Sequence, residues 1–280
     1  MINSIEKINE IESMAQQMRL DAIDMALYTG DSGAHLGGSL SCIEIFAVLF
    51  GGIMNFDVKN PHWINRDKFI PSKAHCGLAH FPALAHVGFI KRDEMAEEYI
   101  KDNGCLFGHP MNINIGLEYS GGSLGMALSV GIGWAIISKE QKRCSNIYIL
   151  MGDGELHEGS NWEAFMAAAH YKLNNITVII DRNYLCMDGN TEDIMAIDDL
   201  SSKMKSFNWN VSTCDGHNVP DLLRALSERS ELKPNVIIAE TIKGKGVSFM
   251  ENKREWHHSR LSQIQYENAK KEILNKSGNI

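Results

Sequence analysis

The sequence lacks several features that would assign it to a class of protein at once. No extended run of lysines or arginines occurs in its 280 residues, and the formal net charge is −8. Because a phosphate backbone is usually bound by a basic stripe, we expect no nucleic-acid partner. A compact basic pocket is still compatible with this charge.

Long apolar segments are also missing. The first thirty residues, MINSIEKINEIESMAQQMRLDAIDMALYTG, place apolar residues at helical spacing with charges between them, unlike the uncharged core of a signal peptide. No segment has enough apolar residues in succession to span a membrane. We therefore expect no membrane association and a cytoplasmic location.

Paired cysteines are absent as well. The six cysteines are widely spaced and form no C-x-x-C pair, which argues against a zinc site or a redox dithiol and fits a reducing cytoplasm. Cys186 lies near a motif discussed below and could have a function, although a lone thiol is more often a packing residue. The cysteines occupy positions 42, 76, 105, 144, 186 and 214.

No repeat, low-complexity tract or proline-rich linker divides the chain. With 44% hydrophobic and 22% charged residues, a chain of this length can bury a large core. A single domain over residues 1–280, ending in the polar tail KKEILNKSGNI, is the simplest interpretation.

Short β-branched runs alternate with helical patterns along the chain. This alternation is typical of βαβ units and predicts an α/β fold, a parallel sheet with helices on both faces. The runs are KFIP (68–71), NIYILM (146–151), ITVIID (176–181), WNVSTC (209–214) and NVIIAE (235–240).

The second and third runs end in unusual polar sequences, Gly-Asp-Gly and Asp-Arg-Asn. Between them, Ser160 and Glu163 predict a capping box for the helix NWEAFMAAAHYK, which Asn174 and Asn175 would stop. Parallel strands end at the same edge of a sheet, where ligands usually bind. We therefore expect residues 152–158 and 182–188 to lie side by side.

The chemistry of these two strand ends suits a magnesium ion. Mg²⁺ prefers six oxygen ligands, some of them from substrate phosphates. Asp153 and Asn183 could supply a carboxylate and an amide oxygen, and the carbonyl of Leu185 a third. Gly152 and Gly154 would let the backbone approach a bulky anion such as a diphosphate.

A second glycine-rich segment, SGGSLGMALSVGIGWAIISK (120–139), predicts a tight turn that enters a long helix. The first turn could receive an anion through free backbone N–H groups. Equally, small residues three or four apart could simply let helices pack closely. The pattern does not decide between these alternatives.

Seven motifs carry a family resemblance. The spacing of thirty residues from Asp153 to Asn183 resembles the thiamine diphosphate fingerprint, in which GDG is followed by an asparagine. From residue 20 to about 258, the chain resembles the amino-terminal half of transketolase, especially the form split into two subunits. The motifs are SGAHLGGSLSCIEI (32–45), PSKAHCG (71–77), FGHP (107–110), GGSLG (121–125), GDGELHEG (152–159), DRN (181–183) and KGKGVSFMENKREWHH (243–258).

The resemblance implies a thiamine diphosphate-binding fold, with thiamine diphosphate and Mg²⁺ (or Ca²⁺ or Mn²⁺) as cofactors. It implies that His75 contacts the diphosphate and that His109 bonds a hydroxyl of the two-carbon fragment. It places His35 and His257 beside the reacting carbon, with His258 as the alternative to His257. Histidine suits proton transfer there because its pKa is about 6.5.

Further residues have roles implied by the resemblance alone. Gly122 and Leu124 would line the cofactor, and Glu158 would support the metal loop. Lys243, with Lys245, would lie near the diphosphate, although an exposed basic loop is the alternative. Five further histidines match no catalytic position: His62, His80, His86, His170 and His217.

The resemblance implies a transketolase subunit that moves a two-carbon ketol unit from a ketose phosphate, or a related modified ketose, to an aldose phosphate. In transketolases a second domain supplies the pyrimidine pocket and an activating glutamate, so we expect an α₂β₂ assembly with a partner subunit. The alternatives are the α chain of another thiamine diphosphate enzyme, such as a 2-oxo acid dehydrogenase, and a catalytically silent regulatory paralogue.

Overall fold

The fold is built on one parallel sheet. The computed structural model describes residues 4–102, 104–110 and 115–275, and in these residues five strands pair in the order β1-β2-β3-β5-β4. All four pairings are parallel, as predicted. The strands are β1 (Lys68–Pro71), β2 (Ile147–Gly152), β3 (Ile176–Arg182), β4 (Asn210–Asp215) and β5 (Asn235–Glu240).

Helices connect the strands and cover both faces of the sheet. Those before and after β1 are α1 (Ile5–Tyr28), α2 (Leu36–Leu40), α3 (Ile43–Val48), α4 (Gly77–Val87), α5 (Arg92–Glu98) and α6 (Ala127–Glu140). Those that follow β2 are α7 (Gly159–His170), α8 (Thr191–Met195), α9 (Leu200–Ser206), α10 (Val219–Ser227) and α11 (Gln263–Asn275).

Alternation along the strands divides the interior into two cores. Tyr148 and Leu150 of β2 belong to the core that is formed with α1, α3, α4 and α10. Ile147, Ile149 and Met151 belong to the opposite core, with α6, α7 and α9. A parallel sheet buried on both faces needs continuous apolar strands, which is what the sequence contains. The predicted α/β class with helices on both faces is confirmed.

The predicted capping box of α7 is wrong. The helix begins at Gly159 and ends at His170, and no side chain caps its first turn. The Ser160 hydroxyl instead donates to the carbonyl of Gly125, at 2.8 Å. A contact between distant segments has replaced the local cap, and it ties the glycine-rich loop to the start of α7.

The carboxyl-terminal polar segment is partly built into the core. Ala269 and Ile273 of α11 are buried, and α11 packs against α1. Within the described ranges, no helix combines the length and the apolar character that crossing a bilayer requires.

Candidate functional site

The ends of β2 and β3 lie side by side, as predicted. Gly152 is in register with Asp181, and the backbone N–H of Asp153 donates to the carbonyl of Asp181 at 3.2 Å. The Asp153 carboxylate accepts from the backbone N–H of Tyr184 at 2.6 Å, which joins the two loops. The Asn183 amide oxygen accepts from the N–H of Leu185 at 3.1 Å.

These loops present three kinds of oxygen atom that fit a hard divalent cation. They belong to the Asp153 carboxylate, the Asn183 amide and the Leu185 carbonyl, and are called here the oxygen set. Burial, followed by the nearby Asp181 carboxylate, raises the pKa of Asp153 above its usual value. A cation at this position would relieve both effects. The Lys243 ammonium already donates to the Leu185 carbonyl at 2.9 Å, so positive charge is accommodated here.

Among the described residues, no group of three or more His, Cys, Asp or Glu side chains is placed to share a metal ion. The oxygen set contains only one side chain of those four types. Mg²⁺ sites of this kind are completed by phosphate oxygens and water. The finding is therefore compatible with the predicted ligands, whose role stays a prediction.

A buried ion pair lies beneath the oxygen set. The Lys73 ammonium pairs with the Asp181 carboxylate and donates to the carbonyl of Gly38 at 2.7 Å. The hydroxyls of Ser41 and Thr241 donate to the same carboxylate. Burial opposes ionisation, but the lysine and these hydrogen bonds hold the pKa of Asp181 below its usual value. The pair fixes the end of β3 against three other segments.

Glu155 is a second buried carboxylate of the Gly-Asp-Gly loop, and the sequence pattern assigns it no role. It accepts from the Ser72 hydroxyl, from the N–H of Gly125 at 2.9 Å and from the N–H of Gly152 at 3.4 Å. The Gly125 N–H of the glycine-rich turn is thus occupied by a carboxyl group of the same chain. Glu158 is exposed and precedes α7, so its predicted support of the metal loop stays a prediction.

The second interpretation of the glycine-rich segment is that its small residues allow close packing of the helix. A Cβ at Gly131 of α6 would lie 2.5 Å from a side-chain carbon of Ile149 in β2. This close approach supports the packing interpretation for the middle of the segment 120–139. The anion interpretation of the first turn stays a prediction.

Five histidines from four segments form a cluster, called here the histidine cluster: His35, His75, His109, His257 and His258. The ring of His35 is central, with centroid distances of 5.3 Å to His75, 5.8 Å to His109, 5.5 Å to His257 and 4.6 Å to His258. The rings of His75 and His257 are 5.2 Å apart. All four histidines singled out from the motifs are thus brought together.

Burial keeps the inner members of the histidine cluster neutral near pH 7. Together with neighbouring imidazoles and Lys243, it lowers the pKa of His35 to about 4. It lowers the pKa of His257 to about 3, with Lys243 as the next cause. Burial also brings the pKa of His75 well below its usual value. Neutral imidazoles can accept a proton, as a general base must.

Lys243 connects the oxygen set with the histidine cluster. Its ammonium donates to the carbonyl of Leu185 and to Nδ1 of His257, at 2.9 Å in each case. Since an ammonium has no acceptor, Nδ1 of His257 accepts and Nε2 carries the ring proton. Burial lowers the pKa of Lys243 to about 8. The alternative of an exposed basic loop is wrong for Lys243, which is buried.

The other predicted residues surround this site. A Cβ at Gly122 would lie 3.3 Å from the His109 ring, and Leu124 is exposed nearby in the same loop. His258 lies closer to His35 than His257 does but is the more exposed of the two. The choice between these two histidines therefore stays open. His80 is instead buried among phenylalanine rings.

Comparison with known proteins identifies the family. The family model described as "Transketolase, thiamine diphosphate binding domain" matches residues 11–276. An apulose-4-phosphate transketolase subunit of Phocaeicola vulgatus is 38% identical over 266 residues, 94% of this chain and 93% of that protein. A 6-deoxy-6-sulfo-D-fructose transketolase subunit of a Clostridium species is 36% identical, over 85% of this chain and 88% of that protein.

Longer transketolases match over part of their length. Human transketolase is 32% identical over 96% of this chain but only 42% of its own. The Campylobacter jejuni transketolase structure superposes with a TM-score of 0.86 and 26% identity, covering 96% of this chain and 43% of that one. The Leishmania mexicana transketolase structure also superposes with a TM-score of 0.86 and 25% identity. It covers 94% of this chain and 41% of that one. This chain belongs to the transketolase family, in the part described as the thiamine diphosphate binding domain.

Proposed function

We propose that this chain is one subunit of a thiamine diphosphate- and Mg²⁺-dependent transketolase, which transfers a two-carbon ketol unit between sugars. The observation that carries the proposal is the placement of the histidine cluster beside the oxygen set, with Lys243 bonded to both. Groups suited to bind an anion, to bind a cation and to transfer protons thus lie at one edge of the sheet.

Thiamine diphosphate, when bound, supplies the carbanion chemistry of ketol transfer. Asp153, Asn183 and the carbonyl of Leu185 would hold Mg²⁺, while Lys243 and His75 would face the diphosphate. The burial of Lys243 favours binding because a buried cation interacts strongly with an anion.

The other histidines would handle protons and hydroxyls of the sugar. We propose that His109 bonds a hydroxyl of the two-carbon fragment, and that His35 and His257 accept and return protons. Both have pKa values lowered by burial, to about 4 and about 3, so they enter the reaction as neutral bases. His258 is the alternative to His257 in this role.

The need for a second subunit is supported by two sets of relatives. Two relatives named as transketolase subunits are matched over 93% and 88% of their length. Human transketolase, whose name refers to no subunit, is matched over only 42%. We propose that another polypeptide supplies the pyrimidine-binding half, in an α₂β₂ assembly.

The proposed donor is a ketose phosphate or a related modified ketose, and the proposed acceptor is an aldose phosphate. The names of the two subunit relatives, which refer to apulose 4-phosphate and to a sulfonated fructose, support including modified ketoses. The α chain of a 2-oxo acid dehydrogenase is disfavoured, because the histidine cluster has a use in ketol transfer. A catalytically silent paralogue is disfavoured for the same reason.

The cofactor proposal is tested by calorimetric titration of the chain with thiamine diphosphate, with and without Mg²⁺. Asp153→Asn keeps an acceptor for Tyr184 but removes the charge, so Mg²⁺-dependent affinity should fall at least about tenfold. Asp188→Asn, at an exposed position in the next loop, is the matched control. Unchanged affinity in Asp153→Asn would remove Asp153 from the metal site.

Ketol transfer is tested with the chain alone and after addition of a polypeptide that carries the pyrimidine-binding domain. A panel of ketose donors, including xylulose 5-phosphate and sulfonated and branched ketoses, should be turned over only by the pair. Cofactor binding without transfer by the pair would favour the silent paralogue, and turnover by the isolated chain would contradict the need for a partner.

A further inference from the structure

A cavity of about 380 Å³ opens at the amino end of β1, away from the strand ends that carry the oxygen set. Its apolar lining comes from Ile64, Leu117 and the indole of Trp134. Lys68 and Arg143 contribute two cationic side chains to the lining of the cavity. No member of the histidine cluster lines it, so its function is not explained by the site described above.

One cation of this cavity is already neutralised. The Arg66 guanidinium pairs with Glu118, and it donates to the carbonyls of Pro61 at 2.7 Å and Gly116 at 3.0 Å. Its charge and three of its five N–H groups are therefore directed to Pro61, Gly116 and Glu118. Arg66 serves as a structural link in the wall of the cavity.

The other two cations are not neutralised in this way. In the part of the chain that the structure describes, neither Lys68 nor Arg143 forms an ion pair with a carboxylate. The neighbouring Asp67 carboxylate accepts instead from the backbone N–H groups of Asn55 and Asn146. The cavity thus has an excess of two positive charges.

Lys68 is the more unusual of the two, because it is only 8% exposed. Its ammonium lies 5.6 Å from the centroid of the Trp134 ring, and burial lowers its pKa to about 8, with Arg66 and Arg143 as further causes. The aromatic ring offsets part of the desolvation but provides no lone pair for the N–H donors. Buried charges in proteins are normally paired, but Lys68 has no carboxylate partner among the described residues.

We propose that this cavity binds an organic phosphate monoester, with the phosphate between Lys68 and Arg143 and the carbon skeleton along Trp134, Leu117 and Ile64. A phosphate monoester carries about −1.5 to −2 charges at pH 7, which balances the two cations. The cavity volume lies within the usual range for small-molecule sites, about 300–1,000 Å³. His62, exposed at the rim, adds a third donor. The proposal does not depend on the transketolase function.

The probe is phenyl phosphate, titrated calorimetrically into the full chain in phosphate-free buffer. Saturable binding is expected, with a Kd at least about tenfold higher in Lys68→Met and in Arg143→Met. Lys139→Met removes the same charge from an exposed position on α6 and should bind as the wild type does. Binding at the proposed diphosphate site would be insensitive to Lys68→Met, and that result would overturn the proposal.

Two further titrations define the ligand class. Inorganic phosphate and benzoate should each bind at least about tenfold more weakly than phenyl phosphate. Equal binding of inorganic phosphate would show that the apolar wall contributes nothing and would overturn the monoester assignment, and equal binding of benzoate would overturn the phosphate assignment.

The melting temperature of the ligand-free chain gives an independent measurement. Lys68→Met should raise it, since this change removes an unpaired buried charge. A melting temperature lowered by Lys68→Met would contradict an unpaired charge. Arg143→Met provides the binding test if the Lys68→Met variant fails to fold.

Discussion

At the scale of single residues, His80 shows how position overrides residue type. Its ring is buried among Phe46, Phe50 and Phe69, with centroid distances of 5.2, 5.7 and 5.1 Å. Its Nδ1 has no hydrogen-bond partner in the described structure. Burial lowers the pKa of His80 to about 3. The sequence pattern assigns His80 no catalytic role, and the structure gives it a place in the apolar core.

His80 should make the protein acid-sensitive. As pH falls below 6.5, the unfolded chain binds a proton that the folded chain does not take up until about pH 3, so stability is lost over this window. His80→Phe should remove this loss, which amounts to about 2 kcal/mol between pH 7 and pH 5. Urea unfolding at both pH values measures it.

The comparison is made with His170→Phe, because His170 is exposed on α7. The quantity of interest is the change in stability between the two pH values, so a constant packing effect of the new ring cancels. The inner members of the histidine cluster are present in each protein and contribute equally. Equal pH dependence of stability in His80→Phe and the wild type would contradict the prediction, because it would show that His80 has the same pKa in the folded and unfolded chains.

The candidate site could be predicted where a role follows from a short motif. Asp153 and Asn183 are marked by the glycines and the strand ends around them, and the structure places them together. Lys73 and Asp181 lie in quoted motifs but have no local signal of their pairing, because 108 positions separate them. Glu155 likewise acts by joining distant backbone N–H groups. Such partners are determined by the folded chain.

At the scale of elements, the loop 241–247 that carries Lys243 is held from behind by a buried polar network. Nε2 of His217 accepts from the N–H of Ile242 at 2.8 Å, and Nδ1 donates to Glu44 at 3.0 Å. Glu44 also pairs with Arg19 at 2.6 Å. Burial opposes the charge of Glu44, but Arg19 and His217 lower its pKa to about 2.

Glycines complete the attachment of this loop. Gly244 has a φ of +79°, and a Cβ there would lie 2.4 Å from the carbonyl oxygen of Met250. Its N–H donates to the carbonyl of Gly37, in α2, at 2.9 Å. The loop is therefore held by backbone geometry on one side and by His217 on the other, which positions Lys243 for its two hydrogen bonds.

Breaking the His217 link should loosen the loop. In His217→Leu, the N–H of Ile242 loses its acceptor and Glu44 loses a donor, so amide exchange at 241–247 should accelerate at least about tenfold. Affinity for thiamine diphosphate should fall, since Lys243 is no longer fixed. Hydrogen exchange with mass spectrometry and calorimetry measure the two effects.

His217→Gln is the matched variant, because its amide can still accept from one neighbour and donate to another. It should recover most of the protection and of the cofactor affinity. If both variants lower stability while exchange in the loop stays at the wild-type rate, His217 has a general packing role and does not position Lys243.

Strands and helices could be predicted where residues close together in the sequence determine them. The five β-branched runs predict the five strands. A strand buried on both faces, such as β2, β3 or β5, must be apolar almost throughout, whereas β4 is a partly exposed edge strand. The cap of α7 could not be predicted, since Ser160 has two possible partners and the distant one, Gly125, is used. The sequence contains no local signal for that choice.

At the scale of the whole molecule, α6 and α7 leave an apolar surface exposed. Met126, at the start of α6, and Val130 and Ile137 follow helical spacing, and Met166 of α7 is 61% exposed. A Cβ at Gly133 would meet no atom within 4 Å, so it too faces outward. Exposed apolar surfaces of this kind often bind another protein. This surface, called here the α6 face, adjoins the loop that contains Gly122 and Leu124.

The α6 face is where we expect the partner subunit to bind. Val130→Arg places a charge at the centre of the face, where burial against apolar groups is costly, so affinity for the partner should fall at least about tenfold. The isolated chain should keep its melting temperature and its affinity for thiamine diphosphate, because Val130 is partly exposed and lies outside the oxygen set. Sedimentation velocity of the mixed subunits measures assembly.

Leu232→Arg is the control, since Leu232 is 79% exposed in a loop away from this face. Full assembly of Val130→Arg with the partner would place the interface elsewhere on the molecule.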